Sequence, residues 1–114
     1  MRIIQKSISN LELKDIADKN FGHLVKAVVD IEKGLMAIDA ELHADLEEHL
    51  LEQGSQQQYL WGINIHPDKS LENGWIEFDS MINIRPSQNN RSRGVDDPKI
   101  REHIMHIVRT LVTL

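Results

Sequence analysis

Residues 25–32 read VKAVVDIE, and this period of two constrains the fold more than any other feature. Val25, Ala27, Val29 and Ile31 fall on one side of an extended chain, and Lys26, Val28, Asp30 and Glu32 on the other. A segment of this kind is stable as a strand with one face on a core, so the chain must build a sheet. Lys33-Gly34 supplies a turn into LMAID, which predicts a hairpin.

The flanking segments extend the pattern. RIIQ (2–5) suits a short edge strand. In 8–22, Ser9 and Glu12 match a capping box, Ile8 and Leu13 a hydrophobic staple, and Gly22 a left-handed C-cap, which predicts a helix with Leu13, Ile16 and Ala17 on its core face. Residues 40–54 form a second helix with a Leu42, Leu46, Leu50 and Leu51 stripe, ended by Gly54. Its start is open: Asp39 caps it, or the preceding strand runs on to His43. Residues 58–67 are a strand with Tyr59, Trp61, Ile63 and Ile65 on one face. Residues 75–86 read as the clearest strand of all, with Ile76, Phe78, Ile82 and Ile84 facing one way and Trp75, Glu77, Asp79, Met81, Asn83 and Arg85 the other, stopped by Pro86. Asp97 and Pro98 then open a last helix whose stripe is Ile100, Ile104, Ile107, Val108 and Leu111. The expectation is one α+β domain over 1–114: a two-layer sandwich with a mostly antiparallel sheet of four or five strands and three helices on one face.

Composition narrows the chemistry. There is no cysteine, which excludes disulfides, thiolate metal sites and cysteine nucleophiles and fits a reducing, cytoplasmic setting. The net charge of −5 makes generic attraction to nucleic acid or anionic lipid unexpected. No apolar run reaches the length of a membrane span.

With helices on the greasy side, the other sheet face would carry Lys26, Asp30, Asn64, His66, Glu77, Asp79, Asn83 and Arg85, with Glu77, Asp79, Asn83 and Arg85 in one row. The ordinary reading is a solvated face with cross-strand ion pairs. Leu60, Trp75 and Met81 among those polar groups also suit a partner surface, which points to a homodimer. The cations collect in the loop 86–96. Arg91 and Arg93, with Arg85, Asn89, Asn90, Ser87 and Ser92 nearby, compose an anion pocket for a carboxylate or phosphate. The competing reading is that Asp96 and Asp97 neutralise those arginines internally. There are no interleaved aromatics and no Gly-x-Gly phosphate cradle, so nucleotide binding is not indicated.

The remaining titratable groups give weaker signals. His43 and Glu47 are four apart with His49 nearby, but the zinc-protease pair of histidines is missing, and a solvated acidic helix face explains them. His103 and His106 read as helix-surface residues, and His66 marks a turn. No nucleophile elbow is present. Glu77 and Asp79, two apart on a strand, form a carboxylate pair of the kind that holds Mg²⁺.

The runs AELHAD (40–45), LWGINIHP (60–67) and WIEFDSMINIRPSQNNRSRGVDDPKIRE (75–102) resemble a small bacterial family, cyanobacterial members among them, known only as a domain of unknown function. The resemblance covers nearly the whole chain and implies no activity, substrate or cofactor. Ala40 stands where a glycine is expected.

Three functional readings follow. The first is a binding module for an anionic small molecule or partner, using Arg85, Asn89, Asn90, Arg91 and Arg93, with Asn83, Asp79 and His43 as secondary contacts and no resident metal or cofactor. The second is a metal-assisted hydrolase using Glu77, Asp79 and His43. The third is a protein-interaction module whose loop is braced by Asp96 and Asp97.

Overall fold

The computed structural model describes residues 1–20 and 22–114. Five strands form one sheet: β1 (Arg2–Ile4), β3 (Val25–Asp30), β4 (Leu35–Ile38), β5 (Leu60–Ile65) and β6 (Ile76–Glu77), in the order β1-β4-β3-β5-β6, with every neighbour antiparallel. A second, parallel pair joins β2 (Ile8–Ser9) to β7 (Val112–Thr113), so the chain continues past the last helix into an extended segment that sequence periodicity did not reveal.

The helices are α1 (Asn10–Lys19), α2 (His43–Glu52) and α3 (Pro98–Leu111). The caps follow local chemistry. Ser9 accepts from the Glu12 N–H at 3.0 Å and Asp97 from the Lys99 N–H at 2.9 Å. Gly22 takes φ 83° and donates its N–H to Ala17 O, closing α1 as its sequence predicts. Among the described residues, no helix is long and apolar enough to cross a membrane.

The α+β class and the five-stranded antiparallel sheet stand, but the helices do not share one face. α1 and α3 cover the face carrying Val25, Ala27, Val29, Met36, Ile38, Trp61, Ile63 and Ile65. α2 packs on the opposite face, where Leu46 and Leu50 bury Val28, Ala37 and Leu60. The reason is legible afterwards: Val28 and Ala37 are cross-strand partners, so the "polar" side of the hairpin carries an apolar patch that must be covered. Leu60, expected on an open face, lies fully buried beneath α2. The buried stripe of α2 is His43, Leu46 and Leu50, while Leu42 and Leu51 are exposed. The helix starts at His43, with Leu42 as an N-cap that has no side-chain acceptor, and Asp39 instead takes a left-handed φ of 73°.

The expected strand over 75–86 is also corrected. Pairing ends at Glu77, and the chain then climbs across the second face through tight turns at Met81–Asn83 and Pro86–Gln88. Trp75 therefore belongs to the α1/α3 core, its Nε1–H donating to Asn10 Oδ1 at 3.0 Å, and Ile82 packs beside α2. Gly62 permits this path: a Cβ there would lie 2.6 Å from Ser80 Cβ and Oγ.

Candidate functional site

When the strand stops at Glu77, the Leu60–Gly62 edge of β5 is left without a neighbour. Side chains from 83–90 take that place. The Asn83 amide acts as a peptide group: its Oδ1 accepts from Gly62 N–H at 2.8 Å and its Nδ2 donates to Gly62 O at 3.0 Å and Arg93 O at 2.9 Å. Arg85 donates to Gln57 O and, at 2.7 Å, to Leu60 O, and its guanidinium lies 4.2 Å from the Trp61 ring centroid. Burial pushes the Arg85 pKa down, and Glu47 opposes that shift. Asn90 ties the loop to itself, donating to Asn83 O and Gly94 O at 2.8 Å each and accepting from Asp96 N–H at 2.8 Å. The hydrogen-bonding capacity of Asn83, Arg85 and Asn90 is thus directed at the backbone of their own chain.

The three guanidiniums of the expected anion pocket do not converge. Arg85 points to the sheet edge, Arg91 is exposed, and Arg93 donates its Nε–H to Asp79 at 2.6 Å. Asp96 and Asp97 are not their counter-ions either. Asp96 accepts from the Arg91 backbone N–H at 3.1 Å and from the Ser92 hydroxyl at 2.5 Å, bonds that hold its carboxyl below the usual range, and Asp97 caps α3. Asn89 is exposed with φ 61°, a turn position suited to asparagine.

A cavity of about 230 Å³ opens elsewhere, between the start of α2, the second face of the sheet and the 79–82 segment. Its polar lining is Lys26, His43, Asn64, Asp79, Ser80 and Arg93. Strand register assembles the floor: Lys26 pairs with Asn64, and Asn64 with Glu77, so one row crosses three strands. Asn64 Nδ2 donates to Glu77 Oε1 at 3.0 Å and Asp79 O at 3.3 Å. Asn64 Oδ1 is buried and has no partner among the described residues. Glu77 is held below the usual carboxylate range by its hydrogen bonds from Asn64 and His66.

His43 is buried, and its Nε2 lies 2.8 Å from Ile63 O. A carbonyl only accepts, so Nε2 carries the proton and the neutral ring keeps its lone pair on Nδ1. Burial pushes the imidazole pKa down, with the Lys26 and Arg93 cations acting in the same direction against the Ile63 carbonyl and Asp79. Leu42 and Met81, both exposed, also line the cavity.

Of the residues expected to act, His43, Asp79 and Arg93 meet in this cavity. Lys26 and Asn64 had been placed on the polar face but not in a site, because only strand order brings them beside α2. Of the hydrolase set, His43 and Asp79 line the cavity and Glu77 bonds Asn64 and His66, while Asp79 bonds Arg93 and the described residues form no group of three His, Asp or Glu that could hold a metal.

The sequence model of one family, described as a protein of unknown function (DUF5674), matches residues 2–111. Neither the curated proteins nor the solved structures contain a match to this chain.

Proposed function

The chain belongs to the DUF5674 family, whose function is unknown, and from the geometry we propose that it binds a small polar molecule in the cavity at the head of α2. One observation carries this reading. Polar groups from β3, α2, β5 and the 79–93 segment, distant in sequence, line one concave space together with the apolar Leu42, Met81 and Ile82. Asn83, Arg85 and Asn90, which looked functional in sequence, support the site indirectly by fixing the 79–93 segment over the sheet.

The test is an amide NMR titration with pooled small carboxylates, phosphates, amines and sugars. We expect saturable shifts at His43, Ala44, Asn64 and Met81 but not at Arg91. Ala44→Trp, at an exposed position on the cavity wall, should block those shifts without lowering thermal stability. Binding that persists in Ala44→Trp, or no saturable shift from any pool, rejects the cavity as the site.

A further inference from the structure

We propose that Asn73 is a self-modifying site: without an enzyme it cyclises onto the Gly74 nitrogen, opens to aspartate and isoaspartate, and in the isoaspartyl form loosens the anchoring of Trp75. Such chemistry needs a side-chain amide free to approach the next backbone nitrogen, and a nitrogen that no side chain or hydrogen bond shields. The sequence holds one Asn-Gly pair, Asn73-Gly74. Both residues are exposed, in the turn between β5 and β6. Gly74 takes φ 94°, a conformation costly for any residue with a side chain, and a Cβ there would lie 3.2 Å from Lys69 Cδ. The fold therefore demands glycine at the position that makes the preceding asparagine reactive.

The other asparagines show what protection looks like. The Nδ2 groups of Asn10, Asn20, Asn64, Asn83 and Asn90 all donate to acceptors within the chain. Asn89 is exposed like Asn73, but the N–H that follows it belongs to Asn90 and donates to Arg85 O at 3.2 Å. Around Asn73 the turn is closed by the Asn73 and Trp75 N–H groups, which reach Ser70 O at 3.0 and 3.2 Å. The Gly74 N–H between them and the Asn73 side-chain amide have no partner among the described residues. Lys69 Nζ lies 3.8 Å from where a Gly74 Cβ would stand, so a cation is beside the nitrogen that must become anionic.

The reaction balances with water as its only co-reactant. Base removes the Gly74 N–H proton and the nitrogen attacks Asn73 Cγ. An N–Cγ bond forms as the Cγ–Nδ2 bond breaks, and Nδ2 takes a proton from water and leaves as ammonia. Water then opens the five-membered imide. Opening at Cγ gives aspartate; opening at the residue-73 backbone carbonyl gives isoaspartate, with the main chain running through Cβ and Cγ. Aspartate adds only a charge at an exposed position. Isoaspartate also inserts a carbon into the main chain beside Trp75, whose ring is buried in the α1/α3 core and whose Nε1–H donates to Asn10 Oδ1 at 3.0 Å.

The experiment ages the full chain in mildly alkaline and mildly acidic buffer beside Asn73→Gln, whose longer amide cannot close the five-membered ring. Mass mapping of the tryptic peptide that begins at Ser70 reads Asn73, Asn83, Asn89 and Asn90 together. Asn73 should convert several-fold faster than Asn89, and faster in the alkaline buffer, with ammonia released and isoaspartate formed. The melting temperature should fall and the tryptophan fluorescence shift in aged wild type, while aged Asn73→Gln holds both. Asn73→Asp, which carries the charge without the rerouted main chain, should melt as fresh wild type does. Conversion no faster at Asn73 than at Asn89, or ammonia release undiminished in Asn73→Gln, overturns the site. Conversion that leaves melting and fluorescence unchanged, or a fall in Asn73→Asp equal to that of aged wild type, overturns the effect of isoaspartate on Trp75.

Discussion

A single side-chain amide, that of Asn83, holds both backbone groups of Gly62 and so does the work of an absent strand residue. Asn83→Ala leaves a buried N–H and a buried C=O unpaired, and should cost about 1–3 kcal/mol in urea unfolding. A loss below about 0.5 kcal/mol would mean the edge is held by other contacts. His43 gives the pH dependence. Its folded pKa is lowered, so below the ordinary imidazole value of about 6.5 the unfolded chain binds the proton more readily. Stability from the neutral ring is therefore present above that pH and is lost as pH falls through it. Melting temperatures at pH 7.5 and 5.5 should diverge more in wild type than in His43→Gln, whose amide keeps a donor for Ile63 O; equal slopes would refute this. At this scale the sequence is ambiguous for a chemical reason. Asparagine and arginine offer the same donors to a ligand and to an orphaned backbone carbonyl, so Asn83, Arg85 and Asn90 read as a site until the edge they close is seen.

At the scale of elements, α1 and α3 were legible because their caps and stripes are local: Ser9, Asp97, Pro98 and the Ile104–Val108 face need no distant partner. α2 was legible as a helix but not in its placement. Its layer depends on the pairing of Val28 with Ala37, which is set by the hairpin register. Leu46→Ala should cost about 2–5 kcal/mol, the range for a fully buried leucine. Leu51→Ala, five residues on but exposed, should cost less than about 0.5 kcal/mol. Equal costs would place α2 wrongly. The segment 75–86 failed for a different reason. Its alternation is real, but Ser80 caps a tight turn by accepting from the Ile82 N–H at 3.3 Å, and turn chemistry overrides a period-two pattern.

At the scale of the molecule, one sheet is clamped between two apolar layers, the larger under α1 and α3 and the smaller under α2. Because β3, β4 and β5 contribute side chains to both layers, neither layer can be lost while the other keeps its floor. Unfolding should then be a single transition by fluorescence and circular dichroism alike, for wild type, Leu46→Ala and Ile104→Ala. The two substitutions lie in opposite layers, so their costs should add within about 0.5 kcal/mol. Separate transitions by the two probes would show that the layers melt independently.

The amino-acid order alone settled much of what is short-range: that there are three helices, where α1 and α3 are capped, that β3 and β4 form a hairpin, and that the sheet is mostly antiparallel, but not the turns that replace a strand after Glu77 or the β2–β7 pair. Those properties depend on side-chain period and on neighbours a few residues apart. Tertiary structure decided the rest, namely that the sheet is covered on both faces, that Asn83 and Arg85 close the open edge of β5 while Arg91 stays exposed and Arg93 pairs with Asp79, and that Lys26, His43, Asn64 and Arg93 surround one cavity. Each of these depends on strand order and register, long-range properties that no local pattern encodes.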